Sequence, residues 1–185
     1  GMMASVQLNV LPSLGPGRGV LKPLPPGRYL FCQGASIDFF CELQGESCFD
    51  GFMGDYAGNI NYLNAPVLLD RERSIGARFA AAGTTLVLGL NGDAGGMISP
   101  PPGNYRLGNN MEVTLQAART DTHWSFEGWF DGFDNQLSPY GLYRFQMPSD
   151  KEGKTVIGVF RRHPDMTPME LCMKPHFAEK RSAVK

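Results

Sequence analysis

The chain has 185 residues, of which 42% are apolar and 19% charged, so it can bury a hydrophobic core as one large domain or two small fused ones. A formal net charge of -1 argues against a nucleic-acid or anionic-membrane surface, which needs clustered Lys and Arg. With 23 Gly, 14 Pro and 20 aromatic residues (2 Trp, 6 Tyr and 12 Phe), the composition favours turns and strands over helices.

The remaining composition excludes two further classes. The four cysteines and three histidines lack the close spacing of metal ligands, so no metal and no cofactor is predicted. The longest uncharged apolar stretch, 79–92, is shorter than the roughly 20 residues of a membrane helix. No basic segment followed by an apolar run marks the N-terminus, so the cytoplasm is the expected location, with a previously removed signal peptide as the open alternative.

The first predicted strand is Ser5–Val10, in which apolar and polar residues alternate with period two. A short edge strand is predicted at Val20–Leu21. The following Pro25-Pro26-Gly27 predicts a type II turn, with Gly27 at positive φ. Strands Arg28–Gln33 and Ile37–Leu43 come next, and we expect them to be antiparallel neighbours.

The middle of the chain continues this pattern. The tetrapeptide Phe49-Asp50-Gly51-Phe52 predicts a hairpin with a type I′ turn. Ala65–Leu69 is a predicted strand, and Ser74–Ala82 is either a helix or another strand. The β-branched and apolar run Thr84–Leu90 predicts a further strand, and Gly92–Gly96 is assigned to a surface loop.

A second copy of the same pattern follows. Pro-Pro-Gly-x-Tyr recurs at Pro101–Tyr105, where Gly103 is expected to take the same turn position as Gly27. Predicted strands Asn104–Leu107 and Met111–Ala118 come after it. Three apolar positions keep one offset between the copies: Ile37/Val113, Phe39/Leu115 and Cys41/Ala117. Because its counterpart is alanine, Cys41 is interpreted as a small buried hydrophobe and not as half of a disulfide.

The second copy can be aligned in two ways at the aromatic tetrapeptide. The repeat matches Phe49–Phe52 with Phe126–Trp129, whereas turn chemistry matches it with Phe130–Phe133. We prefer the repeat alignment. These observations indicate a tandem duplication.

The predicted fold is therefore all-β. Two similar antiparallel β units, 1–83 and 84–163, are expected to form one pseudo-twofold sandwich or barrel-like body, in which Lys154–Phe160 closes the sheet against the first strand. In the tail, 164–185, the capping-box sequence Thr167-Pro168-Met169-Glu170 predicts a short helix.

Acidic and aromatic residues cluster around the two tetrapeptides. Carboxylates beside exposed rings suit sugar recognition, because acids bond hydroxyls while a ring stacks on the apolar face of the sugar. The first functional hypothesis is a non-catalytic binding module for a small polar or carbohydrate-like ligand. Its candidate site residues are Phe49, Asp50, Phe52, Asp55, Tyr56, Trp124, Glu127, Trp129 and Asp131.

Two other functions remain open. A hydrolase could use paired carboxylates from Asp50, Asp55, Glu127 and Asp131. A homo-oligomeric assembly protein could bury the aromatic residues in a self-association interface. The same residues also fit turn and core roles that involve no ligand.

Overall fold

The structure is a computed structural model that describes residues 4–163, and these form fifteen β-strands and one short 3-10 turn. The first seven strands are β1 (Ser5–Val10), β2 (Gly19–Lys22), β3 (Gly27–Cys32), β4 (Ala35–Leu43), β5 (Cys48–Gly54), β6 (Ala65–Leu69) and β7 (Arg73–Ala80). The others are β8 (Gly83–Asn91), β9 (Gly96–Ser99), β10 (Gly103–Gly108), β11 (Glu112–Arg119), β12 (Trp124–Phe130), β13 (Gln136–Ser138), β14 (Leu142–Gln146) and β15 (Lys154–Arg162). The all-β prediction is confirmed.

The described residues divide into two compact units. The first contains 4–84, 106–112 and 147–151, and the second contains 85–105, 113–146 and 152–163. The predicted domain limits at residues 83 and 163 remain predictions.

The first unit contains two layers of strands. In the larger sheet β5 pairs antiparallel with β7, β7 lies parallel to β1, and β1 pairs antiparallel with β3. The smaller sheet has the antiparallel order β2-β4-β6. Leu8 and Ile75 from the larger sheet and Phe39 and Val67 from the smaller one are all fully buried. This unit is therefore sandwich-like, with its core between the sheets.

The second unit repeats these pairings. Strand β12 pairs antiparallel with β15, and β15 lies parallel to β8, next to which β10 follows in the sheet order. The smaller sheet has the order β14-β11-β9. Buried side chains come from both sheets, among them Leu86, Val156 and Trp129 from the larger one and Val113 and Leu115 from the smaller one.

Several strand predictions are confirmed. Ser5–Val10 and Ala65–Leu69 are strands with the predicted limits, and the short edge strand at Val20–Leu21 is β2. Of the two alternatives for Ser74–Ala82, the helix is wrong and the strand is right, because β7 covers this stretch as far as Ala80. Cys41 is buried and free, as its alanine counterpart predicts.

The predicted pairing of Arg28–Gln33 with Ile37–Leu43 is wrong. Strand β3 pairs with β1, whereas β4 pairs with β2 and β6 in the other sheet. The tight link through Gly34, with φ of 94°, directs the chain from one layer into the other. Local alternation cannot distinguish this crossover from a hairpin, since both join two strands by a short turn.

The predicted hairpin at Phe49–Phe52 is also wrong. All four residues lie inside β5, and Gly51, with φ of 120°, occupies a β-bulge opposite β7. The second unit has a bulge between Phe126 and Gly128, where Gly128 has φ of 135°. In the first unit the Asp50-Gly51 pair supplies a positive φ, as expected, but for a bulge instead of a turn.

Three finer expectations also need correction. Gly103 does not take the positive φ of a type II turn, and both Gly27 and Gly103 begin strands. Strand β15 pairs with β8, so Lys154–Phe160 does not close a sheet against the first strand. In the described residues no sheet closes on itself, so the barrel-like form is wrong.

Two points concern helices. The short helix predicted at Thr167–Glu170 lies outside the described residues. Over 4–163, no helix has the length and apolar character needed to cross a membrane.

Candidate functional site

The aromatic candidates of the first unit belong to its core. Phe49 is 0% and Phe52 5% exposed, and their rings meet edge to face with centroids 4.8 Å apart. The ring of Phe49 also lies 5.1 Å from that of buried Tyr62. Rings packed in this way stabilise the sandwich and cannot offer a face to a ligand arriving from solvent.

The aromatic candidates of the second unit are packed in a similar way. Trp129 is fully buried, its indole N–H donates to the carbonyl of Tyr140 at 2.9 Å, and its ring meets Phe126 edge to face at 5.1 Å. Trp124 is half-buried over Gly95, where an added Cβ would lie 2.3 Å from the indole. Gly92–Gly96, assigned from sequence to a surface loop, therefore packs against the indole of Trp124.

Two of the candidate carboxylates organise loops. Asp55 Oδ2 accepts the Ser74 N–H at 2.7 Å, and this bond, with Arg71 and Arg73 nearby, lowers the pKa of Asp55. Asp131 Oδ1 accepts the N–H groups of Phe133 and Asn135 at 2.8 and 2.9 Å, and bonds to Asn135 lower the pKa of Asp131. Asp131 therefore fixes its own loop as an Asx-type turn, whereas Asp55 ties the residue after β5 to β7.

The other polar candidates, Asp50, Glu127 and Tyr56, are partly or fully buried within their own units. Asp50 is half-buried at the bulge, and desolvation raises its pKa against an opposing effect of Arg78. Glu127 is 3% exposed, with Oε1 3.6 Å from the Arg161 guanidinium. Desolvation also raises the pKa of Tyr56.

The four carboxylates give the hydrolase alternative no support. Asp50 and Gly54, which precedes Asp55, are four residues apart on β5, so their Cα atoms would be roughly 13 Å apart in a regular strand at about 3.3 Å per residue. Glycoside hydrolysis uses carboxyl groups roughly 5 to 9.5 Å apart. In the second unit, Glu127 is buried in β12, whereas Asp131 is committed to the turn after it.

The residues that do converge line a groove on the first unit that sequence reasoning missed. The groove has a volume of about 740 Å³, within the range of small-molecule sites. It is formed by β1 and the residues after it, by the start of β3, and by the segment entering β7. Its lining consists of Gln7, Asn9, Val10, Leu11, Pro12, Pro26, Gly27, Arg28, Glu72 and Ser74.

The sheet register sets the polar face of this groove. Leu8 and Val10 point into the core, so Gln7 and Asn9 point outward from the same strand. Asn9 lies opposite Arg28 on β3 and opposite Ser74 on β7. An amide, a guanidinium and a hydroxyl are thus brought side by side from three neighbouring strands.

Hydrogen bonds between side chains hold this face in place. The Gln7 amide donates to Asn9 Oδ1 at 2.7 Å, and the Asn9 amide donates to Glu72 Oε1 at 3.2 Å. Glu72 is on a short segment that is fixed by a 2.6 Å ion pair between Arg73 and Asp70. The hydrogen-bonded row of Gln7, Asn9 and Glu72 is therefore already in place before any ligand binds.

The sequence signal for this groove is weak. Gln7 and Asn9 stand at alternate positions of a strand, which is ordinary for a solvated face, and Arg28 and Glu72 are far from them in the chain. Only the register of β1 between β3 and β7 unites them.

The described part of the chain contains no cluster of three or more His, Cys, Asp or Glu side chains able to hold a metal ion. The groove offers oxygen and nitrogen donors and acceptors, suited to binding a polar molecule. Searches of the chain against protein-family models, curated proteins and solved structures give no match, so the geometry above carries the assignment of function.

Proposed function

We propose that the protein is a non-catalytic binding module that takes a small polar, carbohydrate-like ligand in the groove of the first unit. The observation that carries this proposal is the preformed row of Gln7, Asn9 and Glu72 along one wall. The cytoplasm remains the location expected from the sequence.

The chemistry of the groove favours a polyhydroxyl ligand. Each amide retains a second N–H beyond the bond it makes within the row, and Glu72 retains Oε2 as an acceptor. Adjacent hydroxyls of a sugar both donate and accept, so they can pair with this alternation of donors and acceptors. Leu11, Pro12 and Pro26 supply apolar surface for the C–H face of a sugar ring.

We further infer that the two units arose by duplication of one unit. The order β3-β1-β7-β5 in the first corresponds to β10-β8-β15-β12 in the second. The parallel pair Leu8–Arg73 corresponds to Leu86–Lys154. The hydroxyls of Tyr29 and Tyr105 each donate at 2.7 Å to the carbonyl of a proline four residues earlier.

This correspondence shows which groove residues the second unit replaces. Aligning Leu8–Arg73 with Leu86–Lys154 places Val87 at the position of Asn9 and Thr85 at that of Gln7. The second unit thus has no amide row. Strand β8 already carries valine at the position equivalent to Asn9. We therefore expect β1 to accept Asn9→Val without a change of backbone or packing.

The proposal is tested by side-chain amide NMR with a panel of monosaccharides, disaccharides, polyols and amino acids. Saturable shifts of the Gln7 and Asn9 NH2 resonances are expected with at least one sugar or polyol. Asn9→Val and Glu72→Gln should each weaken that binding by about tenfold, the effect of losing one good hydrogen bond to a charged or paired group.

The matched control is Gln116→Val, the same kind of change at an exposed position of β11 in the second unit. It should leave affinity unchanged. Binding that survives both groove variants, or a panel that produces no shift at Gln7 and Asn9, would contradict the proposal.

A further inference from the structure

We propose that the free edge of β3 pairs with β3 of a second copy of this chain, antiparallel and about a twofold axis. Strand β3 is the last in the order of its sheet, and within residues 4–163 its six residues pair only with β1. Its other side presents backbone donors and acceptors in the described part of the chain.

The register identifies which backbone groups face outward. The N–H of Gln33, directly after β3, donates to the carbonyl of Ala4, before β1, at 2.8 Å. In an antiparallel pair, successive residues alternate between the two edges of a strand. Residues of the same parity as Gln33 therefore bond to β1, and Arg28, Leu30 and Cys32 direct their N–H and C=O groups to the free edge.

This edge strand is the longest of the six in the described residues, and four of the other five are short or contain proline. Strand β13 has three residues, β2 and β9 have four, and β6 contains Pro66, which cannot donate to a ladder. Strand β14 has five residues. Strand β3 is longer, contains no proline or lysine, and carries Leu30 with 75% of its surface exposed.

The strand that corresponds to β3 in the second half of the chain does have a partner on the equivalent edge. Strand β10, the sequence counterpart of β3, is joined at Leu107 to Phe49 of β5 in a parallel bridge within the first unit. The corresponding side of β3 has no strand among the described residues.

A second copy is the occupant that best satisfies the outward groups. With Leu30 opposite Leu30 of the other copy, Arg28 faces Cys32 and the outward N–H and C=O groups of all three residues are paired. Two identical antiparallel strands can pair in this way, because a twofold axis at Leu30 makes the edge complementary to itself.

Self-association through β3 also stops at a dimer. Head-to-tail growth would need a second open edge on the larger sheet of the other unit, but β13 covers β12 there, with a register shift at Trp129/Phe130. A short, irregular cap of this kind is a poor template. The twofold pair of β3 strands is closed, because each β3 edge is then occupied and cannot pair with a third copy.

Sedimentation of the full chain from about 5 to about 500 µM tests this proposal, because a single strand pair gives a small, reversible interface. Dimer is expected at the upper end. Leu30→Lys should weaken association by at least about tenfold through like-charge contact at the twofold axis. The matched control, Leu68→Lys on the proline-containing edge strand β6, replaces a leucine that is 51% exposed and should not change association.

A crosslink gives a second readout that does not depend on affinity. With Cys32 and Cys172 replaced by serine, Leu30→Cys should form an interchain disulfide on mild oxidation, since hydrogen-bonded antiparallel partners have Cα atoms about 5.5 Å apart. Leu68→Cys in the same background should stay unlinked. A chain that is monomeric throughout the range, a dimer indifferent to Leu30→Lys, or equal crosslinking at both positions would overturn the proposal.

Discussion

Alanine at the two bulge glycines should destabilise the protein unequally. Gly51 and Gly128 have φ of 120° and 135°, a region that other residues rarely adopt. Nothing lies within 4 Å of a Cβ built on Gly51. A Cβ on Gly128 would lie 2.5 Å from the carbonyl oxygen of Ser138 and 2.8 Å from the side-chain nitrogen Nε2 of Gln136.

The expected losses follow from two separate costs. Backbone strain in this region costs about 1–3 kcal/mol, and both substitutions incur it. At Gly128 the new methyl group must also displace β13, an overpacking cost of about 1–3 kcal/mol more. We therefore expect the free energy of unfolding to fall by about 1–3 kcal/mol for Gly51→Ala and by about 2–6 kcal/mol for Gly128→Ala.

Urea unfolding followed by tryptophan fluorescence and circular dichroism measures both changes. The melting temperature should fall by about 2–4 °C for each kcal/mol in a chain of this size. Gly132→Ala is the control: its φ is not positive, and its Cβ would lie 3.8 Å from Thr155, an ordinary contact. Equal losses for Gly51→Ala and Gly128→Ala, or a large loss for Gly132→Ala, would refute the reasoning.

Three other predictions follow from single contacts. Tyr105→Phe should cost about 1–2 kcal/mol in urea unfolding, more than Tyr29→Phe, because Tyr105 is buried and its hydrogen bond is partly shielded from water, whereas the bond of Tyr29 is exposed. Because the pKa of Asp55 is lowered from 3.8, its charge stabilises the fold above that pH and loses this effect as the pH falls through the folded pKa. Asp55→Asn should therefore destabilise at pH 7, and by progressively less in urea unfolding as the pH falls below 3.8. With Cys172 replaced by serine, maleimide at pH 8 should modify exposed Cys32 and spare Cys41, whose pKa burial raises to about 12, as peptide mass mapping would show.

Strand positions were the most predictable part of the fold. In Ser5–Val10 the alternation of residue type matches the burial of Leu8 and Val10. Ala65–Leu69 alternates in burial although all five residues are apolar. Pairing was less predictable, because β1 joins β3 and β7 across long stretches of chain. No local pattern encodes such a register.

The candidate site was less predictable still. Phe52 and Trp129 were interpreted as ligand platforms, yet each is buried beside a neighbouring ring in its own unit. Sequence cannot separate an aromatic ring that stacks on a ligand from one that fills a core. The distinction depends on which face of the strand lies inward, and the bulge at Gly51 alters that alternation inside β5.

Under the proposed duplication, recurrence within one chain has a physical meaning. Phe49 and Phe52 meet at 62° and Phe126 and Trp129 at 66°, so the repeated tetrapeptide specifies packing around a bulge. What both units need to fold is repeated, whereas a ligand site can belong to one. Asn9 in the first unit corresponds to Val87 in the second, although the backbone register is the same. A search for function in a duplicated chain should therefore examine the exposed polar positions at which its copies differ.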